Sequence, residues 1–226
     1  MKIYSKSART MTIVVTCLFV FAGFMSPVSA CPHAKIKMGT AQLDTGVTLE
    51  YAEKGHGKGN VVIFLHGYTD SWFSYSEVLK ELPRRFHGYA LTQRGHGDSE
   101  RPLCCYEMAD FASDVIAFMD YKRIRRAVIV GHSMGSVIAQ SVAINYPNRV
   151  KKLVLIGSGV DQTTNEVIWG LKEYVDTIVD PVDPEFVYDF QASTLFNPVP
   201  PEFLDTVVNE SLKVPAFVWR DALTGL

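Results

Sequence analysis

The five residues Gly131-His132-Ser133-Met134-Gly135 constrain this chain more than any others. They begin where the apolar run Ala127-Val128-Ile129-Val130 ends, and a helix-like stretch at 136–145 follows directly. A strand that must turn into a helix within so few residues needs small side chains at the bend, and glycines stand two before and two after the serine. This is the form of a nucleophile elbow, and chemistry gives the reason for it. A serine hydroxyl is a weak nucleophile unless it is held exposed at a sharp turn, beside a base and beside N–H donors for a developing oxyanion.

Two more strand-to-glycine junctions precede the elbow. Val61-Val62-Ile63-Phe64-Leu65 is short and β-branched enough for a buried parallel strand, and it ends in His66-Gly67-Tyr68. Tyr89-Ala90-Leu91 runs into Thr92-Gln93-Arg94-Gly95-His96-Gly97-Asp98-Ser99. Phe111, Val115, Phe118 and Met119 recur at helical spacing between the second and third junctions. Behind Ser133 a helix carries Val137, Ile138, Ser141, Val142 and Ile144 until Pro147 ends it, and Gly135, Ala139 and Ala143 would let one side lie close to a sheet. Lys152-Leu153-Val154-Leu155-Ile156 supplies another buried strand, and residues 43–51 an opening hairpin. Strands alternating with helices imply an α/β fold, with a mainly parallel sheet flanked by helices and a ligand site at the carboxyl ends of the strands. All three junctions fall at that edge.

Strand-HG, strand-RGHGDS and strand-GHSMGS, in this order and at these spacings, resemble the α/β-hydrolase superfamily in its capped, serine-nucleophile form, from about residue 48 to 226. The resemblance implies Ser133 as nucleophile and an oxyanion held by the backbone N–H groups of Tyr68 and Met134. His66, Gly67, Gly131 and Gly135 would support those two turns. It implies a small-molecule acyl substrate, most simply a carboxylic ester cleaved through an acyl-enzyme, and no metal or organic cofactor. Cofactor-free haloperoxidase chemistry and carbon–carbon or amide hydrolysis are the alternatives. Relatives with an aspartate nucleophile open epoxides or remove halide, and the serine argues against both. One departure stands out: many relatives carry an aspartate where this chain has Thr92.

The family pattern continues with an acid and then a histidine after the serine, because imidazole must take the serine proton and the acid must fix its tautomer. The six histidines here are His33, His56, His66, His87, His96 and His132, none of them after Ser133. The expectation is therefore that the C-terminal strands and their triad residues fall downstream of Leu226. Asp161 has two readings, a triad acid or the exposed N-cap of a following helix. His132 is read as a packing or hydrogen-bonding residue pointing away from the serine. His66 and His96 are read as braces of their loops, with a stand-in base as the alternative. A rival function follows, that of a truncated or inactive hydrolase that only binds a ligand.

Residues 31–160 are thus expected to form the N-terminal part of the core and 161–226 an incomplete helical cap. In the cap, Ile168, Leu171, Val175 and Ile178 mark a helix, and Pro184 and Pro201 occupy helix starts. Its aromatic residues, among them Trp169, Phe186, Tyr188, Phe190, Phe196, Phe203, Phe217 and Trp219, are expected mostly to pack cap on core, with a few lining an apolar pocket. Residues 1–30 read as a signal peptide: Lys2, Lys6 and Arg9, an apolar stretch at 11–24, then Val28-Ser29-Ala30. An exported bacterial protein is implied, periplasmic or secreted. Val28-Ser29-Ala30-Cys31 also resembles a lipobox, so membrane anchoring through a lipidated Cys31 is the other reading. With a formal net charge of -2 and no long basic cluster, the chain is not expected to bind nucleic acid. Adjacent Cys104 and Cys105 fit no zinc spacing; two thiols, a bond between them, or one bond to Cys31 all stay open. Gly55-His56-Gly57-Lys58-Gly59-Asn60 precedes its strand and lacks a G-K-[ST] ending, so it reads as a turn and not a phosphate loop.

Overall fold

A computed structural model describes residues 35–57, 59–159 and 165–226. The signal segment, Cys31 and Asp161 lie outside the described residues. Six strands form one sheet: β1 (Lys37–Gln42), β2 (Thr48–Lys54), β3 (Asn60–Leu65), β4 (Phe86–Leu91), β5 (Ala127–His132) and β6 (Val150–Ile156), in the order β1-β2-β4-β3-β5-β6. The hairpin expected at 43–51 is present and longer, its tight turn closed by the Leu43 N–H on the Val47 carbonyl at 3.0 Å. β2 meets β4 antiparallel, and β4, β3, β5 and β6 are parallel neighbours.

Register decides where the motifs go. Leu65 at the end of β3 stands opposite both Leu91 of β4 and Gly131 of β5. The HG, RGHGDS and GHSMGS segments therefore leave the sheet side by side at one edge, as the strand-end rule requires.

Successive side chains point to opposite faces, so a continuously apolar strand is one covered on both. On one face Ile63, Leu65, Leu91 and Ile129 pack with Phe111, Val115, Phe118 and Met119 of α2 (Met108–Tyr121) and with Ile138 and Val142 of α3 (Met134–Asn145). On the other, Val62, Phe64, Ala90 and Val130 meet Tyr75 and Leu79, the latter on α1 (Ser76–Glu81). Ile144 points off α3 into solvent, 76% exposed. One expectation fails here. β6 forms but is not buried: Val154, Leu155 and Ile156 are 40% to 46% exposed, because β6 pairs with β5 alone and nothing among the described residues covers its outer side.

After β6 come α4 (Glu166–Val175), α5 (Pro184–Ser193), α6 (Pro201–Ser211) and α7 (Ala216–Thr224). Pro184 and Pro201 open their helices as expected, and Asp183 caps α5 by accepting the Glu185 N–H at 3.0 Å. Ile178 lies beyond the end of α4. Trp219, fully buried, is the centre of aromatic packing with Tyr68, Phe186 and Phe190, whereas Phe196 is 98% exposed. Cys104 and Cys105 are bonded to one another. No helix among the described residues is long and apolar enough to cross a membrane.

The loop after β4 ties these layers together. Arg94 forks onto Asp114 of α2, Nε to Oδ2 at 2.6 Å and Nη2 to Oδ1 at 2.7 Å, both side chains nearly fully buried. Thr45 in the hairpin turn adds a hydrogen bond to Asp114, and Arg94 Nη1 donates to the Cys105 carbonyl. Ser99 Oγ donates to Thr92 O and accepts from the Glu50 N–H of β2. Removing one partner of such a buried pair leaves an uncompensated charge. Asp114→Ala should thus destabilise the fold by about 3–5 kcal/mol in urea titrations, and Arg94→Met combined with Asp114→Leu should recover most of that loss.

Candidate active site

The elbow is built by close approach. A Cβ on Gly131 would sit 2.1 Å from the Gly135 carbonyl oxygen, and one on Gly135 would sit 2.2 Å from that of Leu65, so neither position tolerates any side chain. Between them Ser133 takes φ 51° and ψ −122°, a conformation that costs a non-glycine residue about 1–3 kcal/mol. It is pinned from both sides. The Ser133 N–H donates to Ile156 O of β6 at 2.9 Å, and the Ser133 carbonyl accepts from Ser136 through both its N–H and its hydroxyl. The Ser133 hydroxyl itself makes no hydrogen bond among the described residues.

Met134 is the first residue of α3, where a helix leaves its N–H groups unpaired and carries partial positive charge. Tyr68 sits in the loop after β3. Its neighbour Thr69 is held at φ 61° by Ser211 of α6, whose hydroxyl donates to the Thr69 carbonyl at 2.9 Å, and by Gln191 of α5 on the Thr69 hydroxyl. The Tyr68 phenol donates to Trp219 O at 2.5 Å, and burial pushes its pKa far up. Neither the Tyr68 nor the Met134 amide donates in any hydrogen bond among the described residues.

His66 and His96 lie behind this surface, both fully buried, ring centroids 5.1 Å apart. His66 donates from Nδ1 to Gly67 O at 2.7 Å and accepts the Gln93 N–H on Nε2 at 3.0 Å, so both ring nitrogens are used in joining the first two loops. His96 Nδ1 donates to Arg94 O at 2.7 Å, within its own loop. Each is hydrogen-bonded to loop backbone, and neither is hydrogen-bonded to Ser133. The Thr92 hydroxyl donates to Glu50 Oε2 of β2 at 3.0 Å and accepts the Trp72 N–H at 3.2 Å.

Two polar residues at the site escaped the sequence reading. The point where a Cβ on Gly67 would lie is 3.2 Å from Asp70 Oδ2, 3.2 Å from His132 Nδ1 and 3.5 Å from Ser133 Cβ, so these three residues surround Gly67. Asp70 also receives Gln191 Nε2 at 3.1 Å and a hydrogen bond from Ser74. Burial raises its pKa against the hydrogen bonds and His132, which lower it. A cavity of about 270 Å³ opens here, with Asp70, His132 and Gln191 among apolar Tyr75, Ile156, Leu195, Phe203 and Val207. A charged residue three positions after Gly67 was the available signal for Asp70. Gln191 carried none, since it arrives from 121 residues away.

A family profile described as alpha/beta hydrolase fold matches residues 60–219. Epoxide hydrolase 3 of Mus musculus is 33% identical over 116 residues, which is 49% of this chain and 31% of that protein. 2-(Acetamidomethylene)succinate hydrolase of Mesorhizobium japonicum is 34% identical over 116 residues, 51% of this chain and 41% of that protein. The chain thus spans well under half the length of either relative. Among solved structures, a hydrolase from Pseudomonas aeruginosa PA01 superposes with a TM-score of 0.72 at 20% identity, covering 84% of this chain and 72% of that one. An E-2-(acetamidomethylene)succinate hydrolase gives 0.70 at 24% identity, with 84% and 73% covered. At these identities the structural likeness bears on fold alone.

The buried histidines set a pH dependence. Burial lowers the pKa of His66 well below 6.5 and that of His96 to about 4. Above pH 6.5 both states are neutral and the full stability is present. As pH falls below 6.5 the unfolded chain takes up protons the folded chain refuses, so stability drops, for His96 down to about pH 4. Urea titrations at pH 7.5 and 5 should differ by about 2 kcal/mol from His96 alone, and His96→Gln should remove that part of the slope.

Proposed function

Because the chain belongs to the α/β-hydrolase fold family, we propose that it is a serine hydrolase acting on a carboxylic ester or related acyl compound through an acyl-enzyme at Ser133. The observation that carries this reading is the elbow: a serine strained to positive φ, its hydroxyl unbound, with the unpaired amides of Met134 and Tyr68 on the two adjoining turns. Ser133 Oγ attacks the acyl carbon, and the carbonyl electron pair moves onto oxygen, where the Tyr68 and Met134 N–H groups stabilise it. Collapse expels the leaving group with the serine proton, and water then releases the acid. The 270 Å³ cavity would take a small acyl group against Phe203, Val207 and Leu195, with Asp70 and Gln191 at its polar side.

The similar proteins bound the choice of chemistry. Mouse epoxide hydrolase 3 is named for epoxides, but an epoxide-opening site on this fold uses an aspartate at the elbow, and the residue here is serine. The relative named for 2-(acetamidomethylene)succinate keeps amides within the acyl class. One observation favours a second reading, a ligand-binding protein on the same fold: no described histidine is hydrogen-bonded to Ser133, so the described residues supply no general base.

Prolonged incubation of residues 1–226 with p-nitrophenyl butyrate, followed by acid quench and peptide mass spectrometry, should find the butyryl group on Ser133, and Ser133→Ala should abolish it. The rate should lie roughly six orders of magnitude below that of a serine hydrolase whose nucleophile is paired with a histidine. Hydrolysis that persists in Ser133→Ala, with no adduct at Ser133 in the unsubstituted chain, would overturn the proposal.

A further inference from the structure

A second cavity, about 470 Å³, opens at the opposite edge of the sheet, where the parallel strands begin. Five cationic residues line it: Lys122, Arg123, Arg125 and Arg126 from the connection between α2 and β5, and Lys151 from β6. Among the described residues no carboxylate does. In a chain of net charge -2 this concentration is not a by-product of basic composition; the register of the sheet gathers it, by setting Ala127 opposite Val150 and Asn60 opposite Phe86.

Local structure accounts for part of this charge. Glu53 accepts Lys122 Nζ at 3.0 Å and His87 Nε2 at 2.7 Å, which neutralises one cation. The carboxyl end of α2 carries a partial charge of about -0.5, which one more cation answers. Roughly three positive charges remain. Their partners are neutral or absent: Arg126 Nη2 donates to Val150 O at 2.8 Å, Lys151 Nζ to Asn60 Oδ1 at 3.2 Å, and the side chains of Arg123 and Arg125 make no ion pair among the described residues. Arg123 also takes φ 56° just past α2, a position where glycine is the usual residue. Like charges gathered round one concavity repel, and a bound anion relieves that repulsion.

We propose that this cavity binds a multiply charged oxyanion, a phosphate or diphosphate group carried by a small molecule or by a lipid. Guanidinium groups present paired N–H donors that match phosphate oxygens, and three arginines are among the lining residues. In the glycine-rich segment the Gly59 N–H donates to His56 O at 3.1 Å. Gly57 and Gly59 form a wall of the cavity, and a Cβ on Gly59 would lie 2.7 Å from the Phe86 carbonyl carbon, so glycine there lets the turn lie flat on β4. The site is independent of Ser133, which stands at the other end of the strands.

Calorimetric titration of residues 1–226 with inorganic pyrophosphate in low salt should show saturable one-to-one binding. It should be weakened at least tenfold in Arg123→Gln/Arg125→Gln and also in Lys151→Gln, each checked for an unchanged circular dichroism spectrum. Sedimentation with phosphatidylcholine vesicles, with and without phosphatidic acid, separates the sources. Retention by the acidic vesicles only, lost in the same variants, assigns a lipid headgroup; pyrophosphate binding without retention assigns a soluble phosphate compound. Absence of both kinds of binding, or equal binding by the variants, would sink the proposal.

Discussion

The contact on which the rest of the architecture depends is the approach of the first turn of α3 to the end of β3. With no side chain at Gly135, its Cα rests against the carbonyl groups of Leu65 and His66. That distance lets β5 turn into a helix without leaving the sheet. It also sets the loop after β3 and the loop after β5 side by side, so two amides from segments 66 residues apart stand unpaired on adjoining turns. A methyl group at Gly135 would push the helix outward and separate them.

Strain at this edge is held by its neighbours. Ser133 and Thr69 both carry positive φ, and each has a backbone group tied to another element: the serine N–H to the Ile156 carbonyl of β6, the threonine carbonyl to the Ser211 hydroxyl of α6. The loop after β4 is held more strongly still, by a buried ion pair to α2 and by two histidines that burial keeps neutral. The helices after β6 are thus part of the site's support as well as its cover. Tyr68 shows both roles, its phenol fixed to the Trp219 carbonyl and its amide left free.

The two edges of the sheet differ in chemistry because strands are polar objects. At the carboxyl edge the loops bring a serine, N–H groups unpaired among the described residues, one carboxyl and apolar walls, a setting that suits the acyl chemistry proposed above. At the amino edge the connections bring arginine and lysine with few acids. A single sheet register serves both, since it aligns the strand beginnings as strictly as the strand ends.

By itself the sequence determined whatever depends on neighbours along the chain. The glycines around Ser133, the apolar strand runs, the stripe Phe111, Val115, Phe118 and Met119, and the proline-opened helices all express local geometry, and they placed the fold, the elbow and its two flanking loops. Tertiary structure decided what depends on partners distant in sequence. Asp70 meets Gln191 across 121 residues, Arg94 finds Asp114 across 20, and the Thr92 hydroxyl donates to Glu50 across 42. Burial of β6 was misjudged for the same reason. An apolar strand records that it can be covered, but only the packing of other elements shows whether it is, and nothing among the described residues lies on its outer side.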